Sequence, residues 1–413
     1  MGIKGLYKFI QKYAPSAIKE LKVDDLKNKT IAFDTSILIY QFVIAIRNSG
    51  VDLTNNDGKI TSHIHAIIVK TMSFLKKKIN PIYVFDGKPP NIKMDTLKER
   101  VKNRQNAMQT LQTDENLDDD KKIRLLKQCV VVSSKQMEEC KEVLNLIGIP
   151  VINSSQEADS QCAYLSKKGL VDAIASEDMD LLTFGTEVLL RNINGTKIIE
   201  ITLDKILKEA ELTMDQFIDL CIMLGCDYCP TIEGIGMCKS YILIKRYGSL
   251  NKIVELGQYN IGKRIIKINI SNEFKDRYKI AQEYFKNPPI NEDINDIQWD
   301  KPNFNALTHL LTTKYSYSNY TIDKLINKPL SAGYYKQIAG KNNQELSIDH
   351  EILTYVKNMK LEDTFSCFNN NDNDDDQFID SDDQDNLDVQ EILQLTTQNN
   401  IKNLISSYNI KTI

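Results

Sequence analysis

The stretch Ala173–Phe184 reads AIASEDMDLLTF. A mostly apolar run, Leu170 to Ala175, stops at Ser176-Glu177-Asp178-Met179-Asp180. That pattern predicts a buried strand followed at once by acidic side chains. Asp178 and Asp180 would lie two apart on a turn at the strand end, where two carboxylates repel each other unless a cation sits between them. An apolar strand ending in a carboxylate recurs at Thr30–Asp34 (TIAFD) and Pro81–Asp86 (PIYVFD). Glu157-Ala158-Asp159 adds another close acidic pair, and Gly225-Cys226-Asp227-Tyr228 one more carboxylate. These distant carboxylates are expected to meet in one place and hold divalent metal.

Around these strands the helical period recurs at Thr35–Arg47, Ser62–Lys78, Ser134–Leu146 (ended by Gly148) and Glu157–Lys168. The acidic pair of the last falls in a first turn, where the helix dipole tolerates negative charge. Ile149–Ile152 reads as a short strand, and Val188–Asn192 and Lys197–Ile201 flank Asn194-Gly195, a hairpin signal. Strands alternating with helices predict an α/β fold with a mostly parallel central sheet flanked by helices. Ligands bind such sheets beyond the carboxyl ends of the strands, where Asp34, Asp86, Asp178 and Asp180 fall.

Other segments differ in kind. Ile92–Lys127 is polar with a thin apolar stripe, carries Lys93, Lys98, Arg100, Lys102 and Arg104, and is divided by an acidic loop from Asp114 to Asp120. A helical segment that cannot bury a face is a solvated surface pair or waits for a partner. Thr213–Leu224 predicts an amphipathic helix capped by Thr213, followed by Gly234-Ile235-Gly236 and a helix to Arg246. That Gly-Ile-Gly turn would present backbone N–H groups to a phosphate or an ion, although many helical hairpins carry such a turn only to change direction. Residues 251–330 read as helices and loops. Asn369–Asp388 is Asn/Asp-rich low complexity expected to be disordered, and Val389–Ile405 forms a weakly amphipathic terminal stretch.

Composition narrows the class. The chain has 413 residues, 42% hydrophobic and 26% charged, as in ordinary globular proteins. No apolar run approaches the roughly 20 residues a membrane helix needs. The start, MGIKGLYKFI, lacks a secretory h-region, and Leu6 stands where a myristoylation motif wants Ser or Thr. The eight cysteines are scattered and expected to be reduced thiols. Cys221, Cys226, Cys229 and Cys238 cluster in sequence, but Cys221 falls mid-helix with no histidine nearby, so helix-core and loop positions account for them better than zinc. The net charge is −4. From Leu361 onward twelve acidic residues face two lysines, a net −10, which leaves +6 on residues 1–360. A basic body with an acidic tail suits a nucleic-acid binder.

Seven carboxylates on separate segments are hard to read as solvated surface when several follow apolar strands directly. Any one of them could cap or ion-pair a strand end; the set is harder to explain so. Hard oxygen ligands select Mg²⁺ or Mn²⁺ over zinc. Two such ions about 3.5–4 Å apart suit in-line attack of water on a phosphodiester, and a nearby Lys or Arg adds charge stabilisation. Lys93 and Arg100, seven residues apart, share one helical face.

The stretches MGIKGL, AFDTSILIYQFVIAIR, VFDGKPP, QEADSQCAYL, ASEDMDLLTFG and LCIMLGCDYCPTIEGIG together resemble the flap endonucleases, within the wider group of structure-specific 5′ nucleases. The likeness runs from Met1 to about Tyr247 and more weakly to Ile326. It implies a PIN-like nuclease core with a helical arch and a C-terminal helix-hairpin-helix region. It divides the chain into a nuclease region 1–105, an arch and cap 106–130, a second nuclease region 131–250 with the helix-hairpin-helix at 212–247, a helical region 251–345 and an acidic tail 346–413. The implied activity is Mg²⁺-dependent 5′ flap endonuclease with 5′-3′ exonuclease activity in DNA replication and repair.

By the same resemblance Asp34, Asp86, Glu157, Asp159, Asp178, Asp180 and Asp227 match metal-site carboxylates for two Mg²⁺ ions, with Mn²⁺ able to substitute. Lys93 and Arg100 match the basic pair that reaches the scissile phosphate. Tyr40 matches an aromatic that stacks on a substrate base. Gly2 and Arg47 match substrate-contacting positions, and Gly234 and Gly236 match a hairpin that holds K⁺ against the duplex backbone. Recognition would be of shape and phosphates. Two departures stand out. Glu233 replaces an often basic hairpin residue, and Asn358–Phe365 keeps Leu361 and Phe365 of a sliding-clamp motif but loses its Gln and one aromatic. A monomer acting in the nucleus or another site of DNA replication (a viral factory if the source is a virus), not secreted, is the expectation. A 5′ exonuclease or junction-cutting relative, a catalytically silent DNA-structure binder and an RNA-cutting carboxylate enzyme are the rival readings.

Overall fold

A computed structural model describes residues 2–327, apart from 49–52, 115–116, 194, 196 and 262–263. The clamp-like Asn358–Phe365 and the acidic tail lie outside the described residues.

Seven strands form one sheet: β1 (Ile18–Leu21), β2 (Thr30–Asp34), β3 (Asn80–Phe85), β4 (Val151–Asn153), β5 (Ala173–Ala175), β6 (Val188–Arg191) and β7 (Ile198–Thr202), in the order β1-β7-β6-β5-β2-β3-β4. β4, β3, β2, β5 and β6 run parallel; β7 pairs antiparallel with both β6 and β1. The predicted mostly parallel sheet and the β6–β7 hairpin are present, but β1 pairs along the outer side of β7, so the hairpin lies inside the sheet and not at its edge. β1 was not legible, since its four residues bury only Leu21 fully. β2 and β3 are buried along their whole length, as strands covered on both faces must be. Phe33 stacks on Phe74 and Tyr83 at 4.5 and 5.6 Å, while the Tyr83 hydroxyl finds Thr71 at 2.8 Å.

Helices fill the connections. They include α1 (Leu6–Tyr13), α2 (Thr35–Asn48), α3 (Ser62–Lys76), α4 (Met94–Thr113), α5 (Asp119–Gln128), α6 (Ser134–Ile147), α7 (Ala158–Lys167), α8 (Asp180–Thr183), α9 (Leu203–Glu209), α10 (Met214–Leu224), α11 (Met237–Tyr247), α12 (Leu250–Leu256), α13 (Asn272–Lys286) and α14 (Phe304–Thr313). Sequence set several ends. Ser133 and Gln136 form a capping box on α6, which Gly148 closes at φ 83°. Thr213 and Gln216 do the same for α10.

The polar segment after β3 is the helix pair α4 and α5, and α4 buries only Ala107. Residues 251–330 are not wholly helix and loop: Gln258–Ile261 (β8) and Arg264–Lys267 (β9) pair antiparallel. The alternation around Gly262 carried that hairpin signal.

The chain leaves β2 toward β3 and β4, then crosses back to β5, β6 and β7. The β2–β5 boundary is thus the topological switch point, where the carboxyl ends open a crevice. The cysteine cluster is dispersed. Cys221 is buried in α10, Cys226 and Cys229 close a turn, and Cys238 accepts from Lys12 at 3.3 Å. No helix among the described residues is long and apolar enough to cross a membrane.

Candidate active site

The crevice is built from strand ends. Asp34 ends β2 and is 4% exposed; Ser176 Oγ lies 3.4 Å from its Oδ2. Beyond β5 the backbone winds through a turn in which Asp178 N–H donates to Ser176 Oγ (3.1 Å) and Asp180 N–H donates to Asp178 Oδ1 (3.0 Å). Both carboxylates are thereby aimed inward and buried. Asp86 follows β3 and accepts from the Ala158 N–H at 2.8 Å, the first residue of α7, so a helix N-terminus holds its charge. Glu157 is the N-cap of α7 rather than part of its first turn, and Asp159 sits one residue inside.

Gly87 locks the two loops together. Its N–H donates to Gln156 O at 2.6 Å, and a Cβ there would stand 2.4 Å from Ser154 O. Gly87→Ala is therefore expected to destabilise the protein by about 1–3 kcal/mol, the usual cost of overpacking. Urea unfolding checks this, and an unchanged midpoint would contradict it.

The carboxylates feel one another. Burial, then the charges of Asp86 and Asp178, push Asp34 well above the usual carboxylate range. Burial, then Asp178 and Asp34, does the same to Asp159. Burial, then Asp178 and Asp227, raises Asp180. Asp178 is also raised by burial, with the Asp180 N–H and Lys93 opposing. Three oxygens, Asp34 Oδ1, Asp159 Oδ1 and Asp180 Oδ1, are buried without a hydrogen-bond partner. Buried oxygens are seldom left so, and an all-oxygen anionic donor set fits Mg²⁺ or Mn²⁺. The cage is not ready-made: among the described residues no three acidic, Cys or His side chains converge tightly enough to hold an ion without adjustment.

Cations border the cluster. Lys93, the N-cap of α4, pairs with Glu157 Oε1 and reaches Asp227 Oδ2 at 3.3 Å; Arg100 Nη2 meets the same Asp227 oxygen at 2.6 Å. Burial would lower the Lys93 pKa, but Glu157, Asp159 and Asp227 outweigh it and keep the ammonium charged. The base of α4 is pinned further. Thr96 Oγ1 donates to Asp227 O at 2.7 Å, and Arg277 of α13 donates to Ile92 O at 2.6 Å and pairs with Asp95 at 3.2 Å.

The family descriptions XPG N-terminal domain and XPG I-region match residues 1–107 and 148–227. A flap endonuclease 1 of Nematostella vectensis is 40% identical over 338 residues, covering 79% of this chain and 87% of that protein. The chain belongs to the flap endonuclease family. Flap endonuclease 1 of Plasmodium falciparum is 42% identical over 355 residues, 80% of this chain and 53% of that protein. This flap endonuclease family member thus spans about half the length of the Plasmodium falciparum relative. The solved flap endonuclease-1 of Methanococcus jannaschii matches with TM-score 0.60 at 26% identity, over 80% of this chain and 99% of that one. The catalytic core of Rad2 in complex with DNA substrate (TM-score 0.60, 23% identity, 79% and 100% covered) shares the fold.

Gly2 adopts φ 84°, and a Cβ there would stand 2.1 Å from Asp178 Oδ1 and 2.6 Å from Asp180 Oδ1, so the N-terminal chain lies against the carboxylates. Half-buried Tyr40 on α2 donates to Lys127 O at 3.0 Å, next to the helix pair. Arg47 lies in the last turn of α2, and its side chain is outside the described residues. Gly234 has φ 73° and Gly236 caps α11, both with open space where a side chain would be. Lys239 Nζ already donates to Gly234 O at 2.7 Å, and Glu233 accepts from Asn269 at 3.2 Å.

Sequence reasoning missed Thr96, Arg277, Tyr228 and Tyr284. Tyr228 donates to Glu157 Oε2 at 2.6 Å and Tyr284 to the same atom at 3.0 Å. Burial and the Glu157 charge raise both phenols, so they act as donors. Tyr228 beside Asp227 was a visible signal; Tyr284 gave none.

Proposed function

We propose that this protein is a structure-specific 5′ flap endonuclease with 5′-3′ exonuclease activity, hydrolysing DNA phosphodiesters where duplex meets an unpaired 5′ strand. The observation that carries the reading is the set of unpartnered buried oxygens on Asp34, Asp159 and Asp180 at the sheet's carboxyl edge, bordered by Lys93 and Arg100. Asp34, Asp86, Glu157, Asp159, Asp178, Asp180 and Asp227 would hold two Mg²⁺ ions, with Mn²⁺ as a substitute. When bound, the ions supply an activated water and offset charge on the phosphate.

The chain's own groups do the rest. Lys93 and Arg100 rest on Glu157 and Asp227. A scissile phosphate offers them a competing anionic partner, so they follow charge that builds in the transition state. The helix pair α4 and α5 would surround the unpaired strand, and Tyr40 would stack on a base. The Gly234–Gly236 hairpin would meet duplex phosphates. K⁺ there would have to displace the Lys239 ammonium from Gly234 O. Such a nuclease would act as a monomer wherever DNA is replicated and repaired. Clamp binding through Asn358–Phe365 would be additional.

Rates on an end-labelled double flap, a blunt duplex and a four-way junction test the reading. Incision at the flap base should be fastest; preferential cutting of the junction would assign the chain to the junction-cutting relatives. Arg100→Ala should slow incision about 10²–10³-fold, the range for one electrostatic stabiliser, with flap affinity nearly unchanged. A pure affinity loss would remove Arg100 from the reacting centre.

A further inference from the structure

Helix α13 lies outside both family-matched stretches, 1–107 and 148–227, yet it reaches the acidic cluster. Its Tyr284 hydroxyl stands 3.0 Å from Glu157 Oε2 and 3.1 Å from Gln156 Oε1. A phenol has one proton to give. The charged carboxylate is the stronger acceptor, so the proton goes to Glu157. Turned end for end, the Gln156 amide would donate its NH₂ to the Tyr284 oxygen. Tyr228 supplies a second phenol to the same Oε2 at 2.6 Å. Lys93 takes the other oxygen, Oε1.

The ring of Tyr284 is held independently of its hydroxyl. It packs against Tyr228 at 5.0 Å and edge-on to Phe184 at 5.9 Å. Glutamate has one more rotatable bond than aspartate, so Glu157 is the cluster's least self-positioned carboxylate. Two phenols on Oε2 fix its rotation and leave Oε1 as the atom that can exchange Lys93 for a metal ion.

We propose that Tyr284 is a positioning residue of the metal centre, holding Glu157 so that Oε1 faces the bound ions. This rests on the reading of Glu157 as a metal ligand. Outer partners of ligands typically contribute about 10–100-fold in metal affinity.

The test uses the full chain and Tyr284→Phe, which keeps the ring and removes the hydroxyl. Mn²⁺ binding without DNA is followed by electron paramagnetic resonance, beside Mg²⁺ titrations of double-flap incision. Mn²⁺ affinity should fall about 10-fold, the Mg²⁺ midpoint should rise in step, and the rate at saturating Mg²⁺ and the melting temperature should stay near wild type. Gln156→Ala should shift Mn²⁺ affinity in the same direction by less. Unchanged Mn²⁺ affinity and Mg²⁺ midpoint in both variants would overturn the proposal, whatever happens to the melting temperature. Weakened Mn²⁺ binding in a protein whose wild type cuts no flap would leave Tyr284's role standing and sink the substrate reading instead.

Discussion

Asp180→Ala is expected to lower flap incision by at least about 10³-fold, beyond the 10–100-fold typical of losing a ligand's outer partner, while leaving flap binding intact. Asp180 is 1% exposed, and its Oδ1 has no hydrogen-bond partner. It is pushed toward the protonated form by burial and by Asp178 and Asp227. Such a group is costly in the metal-free protein, so removing it should not lower the melting temperature without divalent ions. Adding Mg²⁺ should stabilise wild type by mass action and the variant much less. Single-turnover cleavage and thermal melting with and without Mg²⁺ check both halves. Equal cleavage by variant and wild type would remove Asp180 from the metal site.

Lys93→Ala should act with the opposite sign on stability. Its ammonium, held between Glu157 and Asp227, is a part-buried cation beside a strongly acidic cluster. Breaking a buried pair by removing one partner costs about 3 kcal/mol, so the metal-free variant should melt well below wild type, and Mg²⁺ should recover most of the difference. Incision should fall about 10²–10³-fold even at saturating Mg²⁺, because an ion replaces the charge at Glu157 but not the donor to the phosphate. A variant that melts like wild type without Mg²⁺ would show that Lys93 does not offset the cluster's repulsion.

How much of this was legible in sequence depended on how local the signal was. Runs such as TIAFD and PIYVFD announce buried parallel strands and their terminal carboxylates in one short window, so the sheet and the placement of Asp34, Asp86, Asp178 and Asp180 could be read directly. Glu157 was read one position too far into its helix, because a cap differs from a first turn only in backbone geometry. β1 escaped because Ile18–Leu21 buries only Leu21 fully and finds its partner β7 in a segment about 180 residues away. Arg277 and Tyr284 escaped for a related reason. α13 carries an apolar stripe of Phe274, Tyr278, Ala281 and Phe285 that explains its burial, and nothing within the helix says that the residues beside that stripe reach the base of α4 and Glu157. Contacts between distant segments leave no periodicity to find.

The most direct measurement is incision of a labelled double-flap DNA by the wild-type chain in Mg²⁺ and in EDTA, with flap binding measured in parallel. A single cut at the flap base that requires Mg²⁺ is the expected result. Tight flap binding with no incision under Mg²⁺ or Mn²⁺ would contradict it and leave a DNA-structure binder whose buried carboxylates need another explanation.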